Sequence, residues 1–486
     1  MTTKINQLEP QAVWTNFEKI CSFPHPSKHE ERLRTFIKES CEKIGLKTLI
    51  DNGGNLIVVK KASTGMENRK GVILQAHLDM VPQKNSNTHH DFEKDSIKPF
   101  VDGEWVKAKG TTLGADNGIG AAIILSILQS DEIKHGPLEA LFTIDEETGM
   151  TGAFNLGTGI LNGDILLNLD SEDDDELCVG CAGGLNANIT FHFKKESFLA
   201  NASAYKLSLF GLKGGHSGVD IHLGRGNSNK LMVRFLKFAV KKFGIRLSTF
   251  DGGNMRNAIP RETFVTLAVP KIKEYDFIIS LKKHLEVFKN EFSEVEPDLN
   301  FISEKISLPE FVLDETSNLN LINTLYACPN GVMRMSDSIS GLVETSLNLA
   351  IVKTEKNSIY IKCLLRSSVD SSKVDLANMV SSVFELTSCD ISFDGDYPGW
   401  KPNMNSQILS IAKNIYEKRN RNQPHIRAIH AGLECGIIGS VYPNLDMISI
   451  GPTIKHPHSP DEKVSIKSVK LFYEFLQETL KNIPKK

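Results

Sequence analysis

The chain has 486 residues, of which 40% are hydrophobic and 24% charged, with a formal net charge of −3. This length predicts about two to four folding units rather than one core. The near-neutral charge argues against a nucleic acid or an anionic membrane as a partner. Apolar runs stay short of the roughly 18 residues that a transmembrane helix needs. Because the first residues lack a signal-peptide core and the eight cysteines are scattered, we expect a cytoplasmic protein with reduced thiols.

Helical and strand-like segments alternate over the first 186 residues. Apolar spacing predicts helices over 8–22 and 29–44, followed further along by a helical run over 119–128. Short apolar runs predict strands over 54–59, 72–76, 138–144 and 165–169. Such alternation is typical of an α/β domain with a mixed, mainly parallel sheet and helices on both faces.

The pattern changes after the Gly183-Gly184 pair and changes back near residue 397. The middle stretch predicts strands over 205–210, 262–269, 345–352 and 357–366, and helices over 227–243 and 274–291. The last stretch predicts a helix over 405–420, a strand over 445–450 and a helix over 463–482. We therefore predict an α/β domain made of residues 1–186 and 397–486, interrupted by an α+β insertion of residues 187–396.

Three of the predicted strands in the first stretch run into candidate metal ligands. His77 follows strand 72–76, the pair Glu146-Glu147 follows 138–144, and Asp170 follows 165–169. In open α/β sheets, ligands bind beyond the carboxyl ends of the strands, so these side chains should meet in one crevice. Carboxylates and imidazoles without cysteine favour a hydrolytic zinc or manganese site over a structural one.

Asp116 lies among glycines directly before the apolar helical run, which allows two interpretations. Taken alone it would be a helix N-cap. Taken with the other ligands it suits a carboxylate that bridges two metal ions, because the glycines let the loop approach them closely. The predicted ligands are His77, Asp116, Glu147, Asp170 and His458.

Two further acidic residues have roles beside the metals rather than on them. Asp79, two residues after His77 on the same strand face, is placed to orient the imidazole. Neighbouring carboxylates on an extended chain point in different directions, so one member of Glu146-Glu147 can bind metal while the other transfers protons. A water molecule activated by the metals would be the nucleophile.

These motifs resemble the co-catalytic zinc aminopeptidase, carboxypeptidase and aminoacylase family. The residues that carry the resemblance are His77-Leu78-Asp79, Gly114 to Gly118, Glu146-Glu147, Asp170 and His458. The resemblance implies one zinc ion on His77, Asp116 and Asp170, and a second on Asp116, Glu147 and His458. It also implies Glu146 as the general base and Asp79 as the orienting residue. His456 is the alternative to His458 by position, and the resemblance favours His458.

The likeness covers the whole chain and is closest to the bacterial dipeptidases of that family that act on Xaa-His substrates. Its segments are AHLDMVPQK (76–84), KGTTLGADNGIG (109–120), GCAGG (180–184), KGGHSG (213–218), RNAIPRE (256–262), HAGLECG (430–436) and SIGPTIKHPHSPDE (449–462). The insertion would then be a lid domain. The resemblance implies that His216 donates to the oxyanion, that Asn257 and the Gly432 amide contact the substrate backbone, and that Arg366 binds the C-terminal carboxylate. Without the resemblance, His216 would be interpreted as a loop histidine and Arg366 as a surface ion-pair partner.

The expected protein is a dinuclear zinc dipeptidase that hydrolyses unblocked dipeptides, with two Zn²⁺ per chain that Co²⁺ or Mn²⁺ can replace. Its partners are small peptide substrates, with no nucleic acid and no membrane. Smaller relatives complete the site with a histidine from a partner subunit, whereas a long insertion can supply that group within one chain, so the sequence allows a homodimer or a monomer. The alternatives are an aminoacylase-type amidohydrolase and a metal-dependent peptide-binding protein without catalysis.

Overall fold

A computed structural model describes residues 4–197, 201–387 and 389–486. The helices of these ranges are α1 Gln11–Cys21, α2 Glu31–Lys43, α3 Ala115–Gln129, α4 Thr151–Phe154, α5 Ser228–Phe243, α6 Glu274–Glu291, α7 Glu315–Ala327, α8 Asp370–Phe384, α9 Gln407–Asn420, α10 Glu434–Val441 and α11 Ile466–Lys481. Short 3-10 turns occur at Ile5–Gln7 and Lys271–Lys273. Within the same ranges, none of the helices has both the length and the apolar character required to cross a membrane.

The strands are β1 Lys47–Ile50, β2 Leu56–Lys60, β3 Val72–His77, β4 Pro99–Asp102, β5 Trp105–Ala108, β6 Leu138–Thr143, β7 Ile165–Asn168, β8 Glu176–Cys181, β9 Gly183–His192, β10 Lys195–Glu196, β11 Ala202–Phe210, β12 Gly215–His216, β13 Arg246–Gly252, β14 Ala258–Ile259, β15 Thr263–Pro270, β16 Asn300–Ile306, β17 Val312–Leu313, β18 Gly331–Met335, β19 Val343–Glu355, β20 Ser358–Ser367, β21 Cys389–Tyr397, β22 His425–Ile429, β23 Asp446–Ser449, β24 Ile454–Lys455 and β25 Lys463–Ser465.

By their contacts, the residues divide into two compact units. Unit 1 contains the chain up to Gly180 with Pro402–Ala428 and Leu433–Lys486, and unit 2 contains Cys181–Lys401 with Ile429–Gly432.

Unit 1 is built on a mixed sheet with the strand order β1-β2-β6-β3-β7-β23-β8-β22. Its centre is parallel, because β3 pairs in parallel with both β6 and β7, and β23 pairs in parallel with β7. Every residue of β3 and β6 is buried, as expected for strands covered on both faces. Helices α3 and α9 pack against β3 and β23. The carboxyl ends of the four parallel strands therefore share one edge of the sheet.

Unit 2 is built on an antiparallel sheet with the order β16-β11-β15-β13-β19-β20-β9-β21, with β18 added onto β19. From Tyr205 to Phe210, strand β11 alternates between buried residues and more exposed ones, as a strand with one covered face does. Helices α5 and α6 pack on this sheet through an aromatic cluster in which the Phe235 ring lies 5.7 Å from that of Phe277 and 5.2 Å from that of Phe301. A separate two-stranded ribbon joins β12 to β14.

The predicted fold class is confirmed, and the four central strands of the unit 1 sheet, β6, β3, β7 and β23, pair in parallel. The division into a catalytic domain of residues 1–186 and 397–486 and a lid of 187–396 stays a prediction, since contact density assigns no role to either unit. Helices α7 and α8 and strand β9 were not predicted. The placement of residues Ile429–Gly432 with unit 2 was not anticipated either.

Candidate metal centre

The parallel edge of unit 1 brings His77, Asp116 and Asp170 together. His77 is the last residue of β3, Asp170 follows β7, and Asp116 lies in the first turn of α3. The Nε2 atom of His77 lies 3.1 Å from Asp116 Oδ1 and 3.3 Å from Asp170 Oδ1. The ligand atoms of these three residues all lie within 4.8 Å of one another.

A second cluster begins at the other oxygen of Asp116. Asp116 Oδ2 lies 3.2 Å from Nε2 of His458, and the same nitrogen lies 3.0 Å from Glu147 Oε2. One carboxylate thus faces an imidazole with each of its oxygens, which is the arrangement that a bridging ligand needs. The helix-capping interpretation of Asp116 is wrong, because both oxygens are directed at imidazoles in the described structure. The cluster includes His458 rather than its neighbour His456.

The residues of both clusters fit divalent cations. Glu147 Oε1 is buried without a hydrogen-bond partner in the described part of the chain, as a free ligand atom would be. The side chains of Asp116, Asp170 and Glu147 are only 12%, 10% and 6% exposed. Several carboxylates that are this close together and this buried need a compensating positive charge. Carboxylate and imidazole donors without cysteine suit zinc or manganese.

The titration behaviour of the clusters reflects their crowded negative charge. Hydrogen bonds to Asp116 and Glu147 raise the pKa of His458 to about 11. Burial opposes a charge on His77, but the Asp170 and Asp116 carboxylates outweigh it and raise its pKa well above the ordinary value. Burial raises the pKa of Asp170 and of Glu147. The raised pKa values of His77 and His458 mean that the clusters stabilise a positive charge, as a cation site must.

Asp79 holds the turn that carries the two glutamates. Its Oδ1 accepts a hydrogen bond from the backbone N–H of Glu146 at 3.0 Å, and its Oδ2 accepts one from that of Glu147 at 3.1 Å. Its Oδ2 also accepts from the Ser27 hydroxyl at 2.8 Å. His77 Nδ1 lies 3.0 Å from the Asp79 carbonyl and 3.4 Å from Asp79 Oδ1. Burial opposes ionisation, but these contacts with His77 and the donors lower the pKa of Asp79 to about 2.

Glu146 lies at the clusters as well, since its ligand atom and those of His77 and Glu147 all lie within 4.8 Å of one another. Burial, with added repulsion from Asp170 and Glu434, raises the pKa of Glu146 well above its ordinary value. Behind it, Glu434 Oε2 accepts hydrogen bonds from Gln75 Nε2 at 2.6 Å and Thr143 Oγ1 at 2.7 Å. Burial raises the pKa of Glu434 to about 8. A raised pKa favours the protonated form of the carboxyl group, which a group that takes up a proton and later delivers it requires.

The Asp116 loop, residues 113–117, runs into α3, and Asp116 and Asn117 have non-helical backbone angles although they lie within the bounds of that helix. Gly114 has φ 70°, in the left-handed region that favours glycine. A Cβ atom on Gly120 would lie 2.0 Å from Asn117 Oδ1 and 2.7 Å from the Leu169 carbonyl, so a larger residue would displace both. Asn117 in turn donates from Nδ2 to Asp170 Oδ1. The peptide bond between Asp116 and Asn117 is cis.

Sequence reasoning missed several residues that support the site. Glu462 accepts hydrogen bonds from four backbone amides of residues 113–116. Glu30 accepts from the amides of Lys28 and Asp145, both at 2.9 Å, and so holds the turn after β6. These acids bind main-chain groups, which leave no signature in the sequence. Asp145 has φ 54°, which local sequence does not reveal in a non-glycine residue.

In unit 2, the ribbon brings His216 and Asn257 together. His216 pairs with Ala258 across β12 and β14, and the Asn257 carbonyl accepts the Ser217 N–H at 2.8 Å. His216 Nδ1 accepts hydrogen bonds from the N–H groups of Gly218 at 3.2 Å and Val219 at 3.0 Å. The neutral ring therefore carries its proton on Nε2, which becomes a donor. Burial and the nearby Arg366 guanidinium lower the pKa of His216.

Arg366 is a buried residue of β20, only 6% exposed, so its interpretation as a surface ion-pair partner is wrong. Its Nη1 donates to the Tyr397 hydroxyl at 3.0 Å, and its Nε is buried without a partner in the described residues. A Cβ atom on Gly218 would lie 3.1 Å from Arg366 Nε and 2.1 Å from the His430 carbonyl. The turn after His216 thus packs closely on both. Gly432 is half-buried between β22 and α10.

Comparisons with known proteins show the family to which the chain belongs. The sequence matches peptidase family M20/M25/M40 over residues 73–482. It is 48% identical over 485 residues to the cytosol non-specific dipeptidase of Escherichia coli (strain K12), with 100% of both chains covered. It is also 50% identical in sequence to aminoacylhistidine dipeptidase from Vibrio alginolyticus. The crystal structure of that protein matches with a TM-score of 0.97 and covers 100% of this chain and 99% of that one.

A more distant structure, a tripeptidase from Staphylococcus aureus, shares the fold at 16% identity, with a TM-score of 0.56 and coverage of 98% of this chain and 99% of that one. The resemblance seen in the sequence motifs is confirmed by the family match over residues 73–482 and by the two relatives that cover the whole chain. The chain is therefore an enzyme that belongs to peptidase family M20/M25/M40.

Proposed function

We propose that this peptidase is a dinuclear zinc dipeptidase that hydrolyses unblocked dipeptides, including Xaa-His substrates such as β-alanyl-histidine. The observation that carries the proposal is Asp116, whose two oxygens lie 3.1 and 3.2 Å from Nε2 of His77 and of His458. The dipeptide class is supported by two relatives, which are named cytosol non-specific dipeptidase and aminoacylhistidine dipeptidase. On the first of these names we also propose a cytoplasmic location.

The two clusters would hold one zinc ion each. The first set of ligands is His77, Asp116 and Asp170, and the second is Asp116, Glu147 and His458. Cobalt or manganese can occupy sites of the same donor atoms. When bound, two zinc ions supply Lewis acidity that polarises the scissile carbonyl group and makes water acidic near neutral pH.

Glu146 carries the proton in the proposed reaction. It takes a proton from the attacking water and later transfers it to the leaving amine. Its raised pKa suits both steps, because a carboxylate of ordinary pKa would hold the proton too weakly to deliver it. Asp79 keeps Glu146 in place through the hydrogen bond to its backbone N–H at 3.0 Å.

Unit 2 supplies the groups that would bind the substrate's own negative charge. His216 donates from Nε2 to the oxyanion of the tetrahedral intermediate, a contribution of about 3–4 kcal/mol for a preorganised donor. Arg366 binds the free C-terminal carboxylate through its forked N–H groups. Asn257 and the Gly432 amide contact the substrate backbone.

The first test compares two substrates on metal-stripped protein with and without added zinc. One is β-alanyl-histidine, which has a free amino group, and the other is an N-acetyl amino acid, which has none. Zinc-dependent hydrolysis of the dipeptide alone is the expected result. Hydrolysis of the acetylated substrate alone would make the enzyme an aminoacylase, and hydrolysis of neither would favour a peptide-binding protein.

The second test is Glu146→Gln, which keeps the shape of the side chain and removes its basicity. We expect turnover to fall by about 10²–10⁴-fold, the usual contribution of a positioned base. Zinc content should stay at the wild-type level, because Glu147 and not Glu146 is the proposed ligand. A variant that keeps wild-type turnover would exclude Glu146 as the base.

A further inference from the structure

The loop that carries Asp116 is held by a carboxylate that the mechanism does not use. Glu462 is 2% exposed, and its Oε2 accepts hydrogen bonds from the N–H groups of Leu113 at 2.7 Å and Gly114 at 3.0 Å. Its Oε1 accepts from the N–H groups of Ala115 at 2.7 Å and Asp116 at 3.2 Å. A single side chain thus binds four consecutive amides, the last of which belongs to Asp116.

The amides converge because the backbone turns at Gly114, whose φ is 70°. Consecutive N–H groups on such a turn form an anion-binding concavity. The same loop leads into α3, whose N-terminus adds the favourable end of a helix dipole. Both features stabilise a carboxylate at this point, and Glu462 provides it.

The backbone contacts of Glu462 and of its neighbour in the chain fix the position of Glu462. Its N–H donates to the Ser459 carbonyl at 2.9 Å, and the next residue, Lys463, starts β25, which pairs with β5. His458 lies four residues before Glu462. The segment of His458 and the loop of Asp116 are therefore joined through one side chain, at the place where His458 Nε2 and Asp116 Oδ2 lie 3.2 Å apart.

We propose that Glu462 is a positioning residue that sets the zinc affinity of the centre by fixing the Asp116 loop against the His458 segment. The inference rests on the proposed dinuclear function. Because both carboxyl oxygens of Glu462 accept hydrogen bonds from the loop, its two acceptor atoms matter as well as its shape. Groups that hold metal ligands typically change metal affinity by about 10–100-fold when replaced.

The test is Glu462→Gln, in which an amide NH₂ faces two backbone N–H donors and loses both hydrogen bonds. We expect the zinc affinity of at least one site to fall about 10–100-fold in a chelator competition with metal-stripped protein. We expect kcat to fall while KM for the dipeptide stays near the wild-type value, because the proposed substrate contacts are elsewhere.

Glu139 provides a matched control. It is 6% exposed and accepts hydrogen bonds from the N–H groups of Asn162 at 2.8 Å and Gly163 at 2.9 Å, but it lies at the amino end of β6. Glu139→Gln should lower thermal stability and leave zinc affinity unchanged. If Glu462→Gln binds zinc as tightly as the wild type, or loses no more affinity than Glu139→Gln, the positioning role is wrong.

A measurement on the wild type covers the case in which Glu462→Gln does not fold. The amides of residues 113–116 should exchange hydrogen slowly in the metal-stripped protein, because Glu462 already binds them. Fast exchange that slows only after zinc is added would overturn the proposal, since the metal would then organise the loop. A wild type that binds zinc but hydrolyses no dipeptide would instead overturn the proposed function.

Discussion

The two units gather side chains of opposite electrical character. In unit 1, Asp116, Glu147 and Asp170 are crowded at one sheet edge, and hydrogen bonds to the first two raise the pKa of His458 to about 11. In unit 2, burial and the Arg366 guanidinium lower the pKa of His216. The first unit therefore attracts cations and the second presents hydrogen-bond donors. On the proposed function, the first would hold zinc and the second would bind the negative charges of the substrate.

The strongest test of this contrast is Asp116→Asn in unit 1. Asparagine has the same size but a single acceptor oxygen, so it cannot serve both clusters. We expect the protein to lose bound zinc and kcat/KM to fall by about 10⁴-fold, because several kcal/mol of metal catalysis disappear. Metal analysis beside the dipeptide assay would measure both effects. Retention of two zinc ions at wild-type affinity would contradict the shared site.

The matching change in unit 2 is His216→Asn. The asparagine oxygen lies near the position of Nδ1 and can still accept the N–H groups of Gly218 and Val219, whereas the Nε2 donor is removed. We expect kcat to fall about 10²–10³-fold, as for loss of one oxyanion donor. Zinc affinity should not change. Loss of bound zinc in this variant would contradict the proposal that unit 1 holds the zinc ions while His216 of unit 2 binds the oxyanion.

A smaller effect is expected for Arg366→Lys, which keeps the charge but loses the forked donor. KM for a dipeptide should rise about 10–100-fold, the value of one or two hydrogen bonds to a charged group. A dipeptide amide has no terminal carboxylate and serves as the control substrate. Its KM should hardly differ between the variant and the wild type, and an equal rise for both substrates would exclude carboxylate binding.

The smallest effect concerns acid stability. Burial and the Arg366 guanidinium lower the pKa of His430 to about 3, and its Nε2 lies 2.7 Å from Ser346 Oγ. A histidine with a depressed folded-state pKa binds more protons when unfolded, so its stabilisation is present above pH 6.5 and is lost as the pH falls toward 3. Between pH 7 and pH 5 this costs about 2 kcal/mol.

Thermal unfolding at both pH values, for the wild type and for His430→Gln, would measure this loss. We expect the variant to be less stable at pH 7 but less sensitive to acid, because glutamine does not titrate. The difference between the two pH dependences isolates His430 from other titrating groups. Parallel pH profiles for the two proteins would show that His430 is not held neutral.

The sequence predicted the clustering of acids and histidines in unit 1 better than the surroundings of the unit 2 residues, for a physical reason. Parallel strands end at one edge, so acids that follow β3, β6 and β7 must meet, and His77 and Asp170 could be paired without a structure. The ligand, base and substrate-binding roles of all these residues stay predictions until zinc binding and kinetics are measured. Without the family resemblance Arg366 would be a surface ion-pair partner, because nothing near it in the sequence reveals Tyr397 or the burial of its side chain.

Glu462 could not be predicted for a different reason. Its partners are backbone amides, and the first of them, in Leu113, lies 349 positions earlier in the chain. Every residue except proline has such an amide, so the sequence contains no pattern to match. The φ of 70° at Gly114, which makes the amides converge, is similarly a property of the folded loop. Long-range contacts of this kind appear only when the two segments are seen together.

The assignment of Ile429–Gly432 to unit 2 limits how the molecule can be recombined. The Ala182 N–H donates to the carbonyls of Ile429 and Ala431, both at 3.0 Å, and Ser346 lies against His430. An exchange of residues 181–401 alone would separate these partners and leave the four-residue segment facing a foreign surface. Residues 181–401 therefore cannot be exchanged on their own. A chimera that replaces them must also take residues 429–432 from the same donor protein, so that the two segments keep their contacts.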